Sequence, residues 1–240
     1  MKQRLDVALV ERGLASSRTK AQALIMAGQV KSGDRVLDKP GQLIAADAEL
    51  TVVESPRYVS RGGDKLESVA AKLDLDFQGK TVLDAGASTG GFTDFALQNG
   101  AAKVYSVDVG TNQLDYKLRQ DPRVAAMEQT DIRELEELPE PVDIIVMDLA
   151  FISLTKVLDG IDRFLRPGGE IVTMAKPQFE AGKALADRYK GVIPEPERTQ
   201  VLADFERWLA ERFEILGAAD SKVAGPAGNV ERFYLLKPKR

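Results

Sequence analysis

The 240-residue sequence predicts an α/β protein: a mostly parallel sheet closed by a C-terminal antiparallel hairpin, preceded by a small α/β unit. Three observations carry that prediction. From Lys80 onward, short runs rich in Val and Ile alternate with helical patterns, as parallel strands with helices on both faces require. The last two apolar runs are joined only by Ala224-Gly225-Pro226-Ala227-Gly228-Asn229, too short for a crossover helix, so they pair antiparallel at the sheet's edge. The first strand of the large unit runs through Val82-Leu83-Asp84 into a glycine-rich turn and then a helix, the order that opens a ligand pocket at a strand's carboxyl end.

Each element has a local reason. Leu5, Ala8 and Leu9, stopped at Gly13, make a short amphipathic helix. Ser16 or Ser17 caps a second helix that runs to Ala27 and ends at Gly28. Strand-like pieces follow at 29–31, 35–37 and 49–53, separated by Ser32-Gly33-Asp34 and Pro40-Gly41 turns. These form an N-terminal unit, 1–54; residues 55–60 read as a linker and 61–240 as the large unit. A helix of about Asp64 to Leu73 enters the large unit after a Gly62-Gly63 turn. Strands are predicted at 81–85, 103–107, 124–128, 142–148, 170–175, 213–221 and 231–236, with helices at 93–99, 155–164 and 195–212. Pro167-Gly168-Gly169 stops one helix and launches the next strand. Residues 179–192 carry no convincing strand and read either as a flap over the site or as an ordinary surface excursion.

Composition narrows the function. Hydrophobic residues at 44% and charged residues at 29% are those of a globular protein. No run of 18 apolar residues exists and the N-terminus lacks a signal-peptide pattern, so no membrane partner and a cytoplasmic location are expected. There is no Cys and no His. That excludes Cys-His and Ser-His catalysis and thiolate or imidazole zinc sites, and no metal is expected. Proton transfer falls to Lys, Asp, Glu or Tyr. Residues 1–40 hold eight Lys and Arg against four Asp and Glu, a net of +4, which leaves −8 for the remainder of a chain whose total is −4. A basic head on an acidic body permits a local polyanion site, although a solvated small domain carries such charges too. Arg18 and Lys20, in the first turn of a helix, oppose its dipole at a cost of a few tenths of a kcal/mol.

The glycine turn selects its ligand by what it lacks. From Gly86 the pattern is G-x-x-x-G-G, through Ser88, Thr89, Gly90 and Gly91 to Phe92; it is neither the G-x-G-x-x-G of a pyrophosphate loop nor a P-loop. An acid at the strand tip without a phosphate cradle suits a cationic, phosphate-free ligand, with S-adenosylmethionine (SAM) the candidate. Asp84 then anchors the turn or the ligand's ammonium, unless it is a plain helix N-cap. Asp108, at the tip of the second strand, is placed to accept both ribose hydroxyls. Asp131, after the third, could accept an adenine amino group or could be an ordinary loop acid. Asp148 and Lys176 end two further apolar strands and should open onto the same crevice; Glu231 starts the last strand and Lys65 stands on the entering helix. Two lysines and two acids converging make a tuned base: burial and a neighbouring ammonium depress a lysine's pKa while carboxylates orient it.

These motifs carry a resemblance. The chain resembles the TlyA (hemolysin A-like) family of RNA 2′-O-methyltransferases through Arg4-Leu5-Asp6, Ser17-Arg18-Thr19-Lys20-Ala21, Tyr58-Val59-Ser60-Arg61-Gly62-Gly63, the stretch from Asp84 to Asp94, Asp148-Leu149-Ala150-Phe151-Ile152-Ser153-Leu154, Lys176-Pro177-Gln178-Phe179-Glu180 and Gly228-Asn229-Val230-Glu231. Ala150 stands where Ser is expected. The resemblance implies an S4-type RNA-binding domain joined to an FtsJ/RrmJ-like, Rossmann-like class I SAM-dependent methyltransferase domain with a seven-stranded sheet. It implies SAM as cofactor, ribosomal RNA as partner, transfer to a ribose 2′-hydroxyl of cytidine, and a catalytic tetrad of Lys65, Asp148, Lys176 and Glu231. RNA affinity would come from Arg4, Arg18, Lys20 and Lys31. Two other classes stay open: a membrane-lytic protein, as the hemolysin label suggests, and a non-catalytic assembly factor that keeps a SAM pocket.

Overall fold

The computed structural model describes residues 2–53 and 56–239, and the chain divides into two compact units, the first ending at Pro56 and the second beginning at Arg57. In the first, β1 (Lys2–Arg4) leads directly into α1 (Leu5–Glu11), followed by α2 (Arg18–Met26), β2 (Val30–Ser32), β3 (Arg35–Val36), β4 (Leu43–Ala45) and β5 (Thr51–Val52). β1 pairs antiparallel with β4, and β2 lies between β3 and β5. Leu5, Leu9, Ala21, Ile25, Val30 and Ile44 form its core. Ser17 is the cap of α2, its hydroxyl accepting the Lys20 N–H at 3.2 Å, and Gly28 ends the helix with φ +69°. Sequence reading overlooked β1 and β4, because three residues are too few to show an alternating pattern.

The second unit opens with α3 (Arg61–Ala70), then β6 (Thr81–Ala85), α4 (Gly91–Gln98), β7 (Lys103–Val107), α5 (Tyr116–Arg119), β8 (Val124–Met127), β9 (Val142–Met147), α6 (Thr155–Leu158), β10 (Leu165–Ala175), α7 (Pro177–Glu180), α8 (Gly182–Arg188), α9 (Glu195–Arg212), β11 (Phe213–Asp220) and β12 (Arg232–Pro238). The sheet order is β11-β12-β10-β9-β6-β7-β8, with β12 antiparallel to both neighbours. Period-two alternation splits each apolar run between two cores. Val82, Val104, Ile144, Val172 and Met174 pack with Leu66 and Val69 of α3 and Phe92 and Phe95 of α4. Leu83, Tyr105, Ile145, Met147 and Ile171 pack on the opposite face with Leu202, Phe205 and Leu209 of α9. No helix among the described residues is long and apolar enough to cross a membrane.

At five places the structure changes or adds to the local expectations. Within the stretch read as a linker, Tyr58 is buried in the core beside α3, and Ser55, like Glu54 before it, lies outside the described residues. α3 starts three residues earlier than expected, since Gly62 and Gly63 are packing glycines within its first turn: a Cβ on Gly63 would lie 2.3 Å from Tyr58 Cγ, and one on Gly91 would lie 2.7 Å from the Gly63 nitrogen. The helix expected over 155–164 breaks after α6, where Gly160 adopts φ +88°, and resumes as a 3-10 turn, Ile161–Phe164. Pro167-Gly168-Gly169 lies inside β10, where pairing with β9 slips between Leu165 and Glu170. The 179–192 stretch, expected as a flap or a surface excursion, contains the end of α7 and all of α8.

Candidate active site

The tips of β6, β9 and β10 and the start of α3 enclose a cavity of about 190 Å³, whose lining includes Asp84, Gly86, Ser88, Thr89, Gly91 and Phe92 from the glycine turn, Asp148 and Lys176 from the later strands, and Ser60 and Gly62. β6 ends in a tight reversal, with φ +84° at Gly86, +48° at Ser88 and +96° at Gly90. The N–H groups of Gly86 and Ala87 both donate to the Val107 carbonyl, at 2.8 and 3.1 Å, which ties the turn to β7. A Cβ on Gly86 would lie 2.8 Å from the Asp148 carbonyl oxygen, so only glycine lets the turn approach the loop after β9.

Asp84 is fully buried. Its Oδ2 accepts the Thr93 N–H at 2.9 Å and the Thr93 hydroxyl at 2.7 Å, and Thr93 Oγ1 lies 2.8 Å from Ser106 Oγ. Its Oδ1 is buried without a partner. Burial above all, with a smaller contribution from the charge of Asp148, pushes the Asp84 carboxyl up to about 7 against the opposing Thr93 bonds. One oxygen therefore holds the first turn of α4, whose N-cap residue is Gly90, through Thr93, while the other faces no donor. An unpaired carboxylate oxygen at a cavity wall fits the ammonium of SAM.

Asp108 serves the turn. Its Oδ2 accepts the Ser88 N–H at 2.8 Å and its Oδ1 the Gly110 N–H at 2.7 Å, and it stands outside the cavity lining. Each oxygen keeps a second acceptor position for a hydroxyl. Asp131 also stands outside the lining. Arg133 Nη2 lies 2.5 Å from its Oδ2, and that guanidinium holds the Asp131 carboxyl below the usual carboxylate range.

The four residues grouped from the sequence form two ion pairs. Lys176 Nζ lies 2.6 Å from Asp148 Oδ1 at the cavity wall, with both side chains largely shielded. Lys65 Nζ donates to Glu231 Oε1 at 2.9 Å in a buried pair, and Glu231 Oε2 has no partner. The β10–β12 register, with Ala175 opposite Arg232, continues to place Lys176 opposite Glu231. Lys65 sits one turn after the Ser60 and Gly62 that line the cavity, although neither Lys65 nor Glu231 lines it.

In the first unit, Arg4 and Arg18 are held by a buried acid. Arg4 donates twice to Asp6 at 3.0 Å, and Arg18 Nε and Gln22 Nε2 each donate to Asp6 Oδ2 at 2.9 Å. Arg4, with Gln22 and Arg18, holds the Asp6 carboxyl well below the usual carboxylate range. Both guanidiniums remain about half exposed, but part of their charge is offset inside the unit. Lys20 is exposed and Lys31 half-buried on β2.

Sequence reading did not single out three contributors: Thr93, which fixes Asp84, and Ser60 and Gly62, which complete the wall; nor the exposure of Phe151, which stands outside the lining, is 93% exposed with φ +64° and has its ring 5.5 Å from that of Phe179. Thr93 could have been found as the first hydroxyl after the glycine turn. Phe151 could not, because exposure is not encoded in a single residue type.

The FtsJ-like methyltransferase profile matches residues 58–238, and the S4 domain profile matches residues 3–50. YqxC of Bacillus subtilis is 46% identical over 242 residues, covering 96% of this chain and 84% of that protein. The 16S/23S rRNA (cytidine-2′-O)-methyltransferase TlyA of Mycobacterium tuberculosis is 42% identical over 240 residues, covering 98% of this chain and 89% of that protein. A solved hemolysin-like protein of Streptococcus thermophilus superimposes with a TM-score of 0.73 at 40% identity, over 99% of this chain and 89% of that one. With a glycine turn, a buried acid and a profile match over most of its length, the chain belongs to the FtsJ-like methyltransferase family and carries an S4 domain at its N-terminus.

Proposed function

We propose that the protein transfers the methyl group of SAM to the ribose 2′-hydroxyl of a cytidine in ribosomal RNA. The observation that carries this reading is the Lys176–Asp148 pair at 2.6 Å in the same cavity wall as the unpaired Asp84 carboxylate. One part of the site answers a cation and the other handles a proton. Bound SAM supplies an electrophilic methyl on a sulfonium.

The chain's own residues do the rest. Asp84 receives the ligand's ammonium through Oδ1, while Thr93 keeps the carboxylate turned to the cavity. Asp108 stiffens the glycine turn and offers its remaining acceptor positions to ribose hydroxyls. Lys176, as the neutral amine once it has released its proton, takes the proton of the attacking 2′-hydroxyl, and Asp148 orients it. Lys65 and Glu231 set the charge behind that pair and the position of the acceptor ribose. Holding nucleophile and methyl within about 3–3.5 Å supplies much of the acceleration, and general-base help about 10²–10⁴-fold more. The S4 domain supplies affinity for structured RNA, which is read through phosphates, shape and 2′-hydroxyls. Such a protein works in the cytoplasm, where ribosomal RNA is assembled.

The relatives' activity supports the substrate class. The test is to map 2′-O-methylation on ribosomal RNA from cells with and without this protein. Purified Lys176→Ala should transfer methyl groups at least about 10²-fold more slowly than wild type. Turnover near wild type would remove Lys176 from the mechanism.

A further inference from the structure

The Asp148–Lys176 pair lies where the pairing of β9 with β10 has ended, although each residue is still held on its other side: the Asp148 N–H donates to the Ala85 carbonyl at 3.2 Å, and Ala175, just before Lys176, pairs with Arg232. The recorded β9–β10 pairing ends at Met147 opposite Thr173, and both charged residues lie beyond it. In a largely shielded ion pair the cost of desolvating two charges offsets most of their attraction, so the pair by itself does little to fix two loops against each other. A second connection exists one helical turn away.

α7 starts directly after Lys176, with the Phe179 N–H donating to the Lys176 carbonyl at 2.8 Å. Glu180, the last residue of α7, reaches back to the loop that follows Asp148. Its Oε1 accepts the Leu154 N–H at 2.9 Å, and its Oε2 accepts the Ser153 hydroxyl at 2.6 Å. Ser153 Oγ in turn accepts the Thr155 N–H at 3.2 Å, so the carboxylate grips the start of α6 as well. The Phe151 and Phe179 rings, 5.5 Å apart, touch between the two ties. Burial pushes the Glu180 carboxyl up, opposed by the bonds from Leu154 and Ser153. No Lys or Arg among the described residues forms an ion pair with it. A half-buried acid with only neutral donors is costly for folding alone.

We infer that Glu180 is a positioning residue for methyl transfer: its carboxylate bridges α7 to the Ser153-Leu154 turn and thereby sets the separation and direction of the Asp148–Lys176 pair. The inference rests on the reading that this pair receives the 2′-hydroxyl proton. A misplacement of about 1 Å in such a pair costs on the order of 10²-fold in rate.

Full-length Glu180→Ala, assayed on ribosomal RNA from cells lacking the protein, should lose at least about tenfold in kcat while KM for SAM stays within about twofold. Glu180→Gln should recover most of the loss, because an amide still accepts from Leu154 and can donate to Ser153. In a Lys176→Ala background, Glu180→Ala should cost nothing further. Unchanged kcat, or a loss that adds fully to that of Lys176→Ala, overturns the inference. Should Glu180→Ala fail to fold, Ser153→Ala removes one of the two bonds and must show a smaller loss with the same non-additivity. A crystal structure of the Glu180→Ala chain tests the tie without any activity: an opened Asp148–Lys176 pair supports it, and a pair still at 2.6 Å overturns it. Wild-type protein inactive on every ribosomal RNA would instead defeat the proposed reaction, leaving that structural comparison to decide the tie.

Discussion

Asp84 is divided between a contact that holds the fold and an oxygen left without a donor. Its folded carboxyl holds its proton to about 7, against 3.8 for an ordinary aspartate. A raised carboxyl stabilises the fold fully below the unfolded value, and that contribution drains away as pH rises from about 4 to about 7. The charge that costs stability is the charge a cationic ligand needs, so SAM affinity should rise with pH up to about 7 and then level off. Calorimetric titration across that range checks this; a flat profile would detach Asp84 from the ligand. Asp84→Asn keeps an acceptor for Thr93, so it should melt at or above the wild-type temperature at neutral pH. It should also bind SAM at least about tenfold more weakly, the worth of a hydrogen bond to a charged group.

Between elements, the same economy appears in the Lys65–Glu231 pair, which joins α3 to the start of β12 across most of the second unit's sequence. With side chains only 9% and 3% exposed, each charge depends on the other. Lys65→Met leaves a buried carboxylate unpaired and should destabilise the protein by about 3–5 kcal/mol. Adding Glu231→Leu should return most of that loss in denaturant melts, because a well-packed apolar pair replaces the ionic one. Methyl transfer should fail in both variants, which separates the pair's electrostatic role from its structural one. At this scale the sequence was legible where patterns were long: α9 occupies the predicted 195–212, and β6 and β7 the predicted 81–85 and 103–107. Glycines were the weak point. Gly63 and Gly169 read as turn residues but lie inside α3 and β10 where a Cβ would clash, because a glycine chosen for close packing looks the same in sequence as one chosen for a turn; Gly168, with φ +86° and open space around it, does turn the chain where the pairing slips.

For the molecule as a whole, the positive surplus lies in residues 1–40, since Asp47, Glu49 and Glu54 bring the first unit close to neutral while the second is acidic; the S4 domain is the natural RNA-binding half. Arg4 and Arg18 spend donors on Asp6, which leaves Lys20 and Lys31 the less encumbered cations of the four expected contacts. Lys20→Gln with Lys31→Gln should weaken RNA binding and reduce the slope of log affinity against log salt by about 1–2. An unchanged slope would move the phosphate contacts elsewhere. Arg18→Gln should instead lower the melting temperature of the first unit, since it strips a partner from a buried acid.

Periodicity, glycine spacing and strand-tip charges were sufficient to identify the α/β class, the hairpin at the sheet's edge, and the glycine turn, Asp148 and Lys176 of the cavity wall, because each is a local pattern or follows from strands pointing the same way. The pairings were not: Lys176 with Asp148 instead of all four charges in one cluster, Asp108 engaged by backbone amides, Asp131 turned to Arg133, and Arg4 and Arg18 gathered on Asp6. A charged side chain finds its partner by distance and burial in the folded chain, and those are set by packing between residues far apart in sequence.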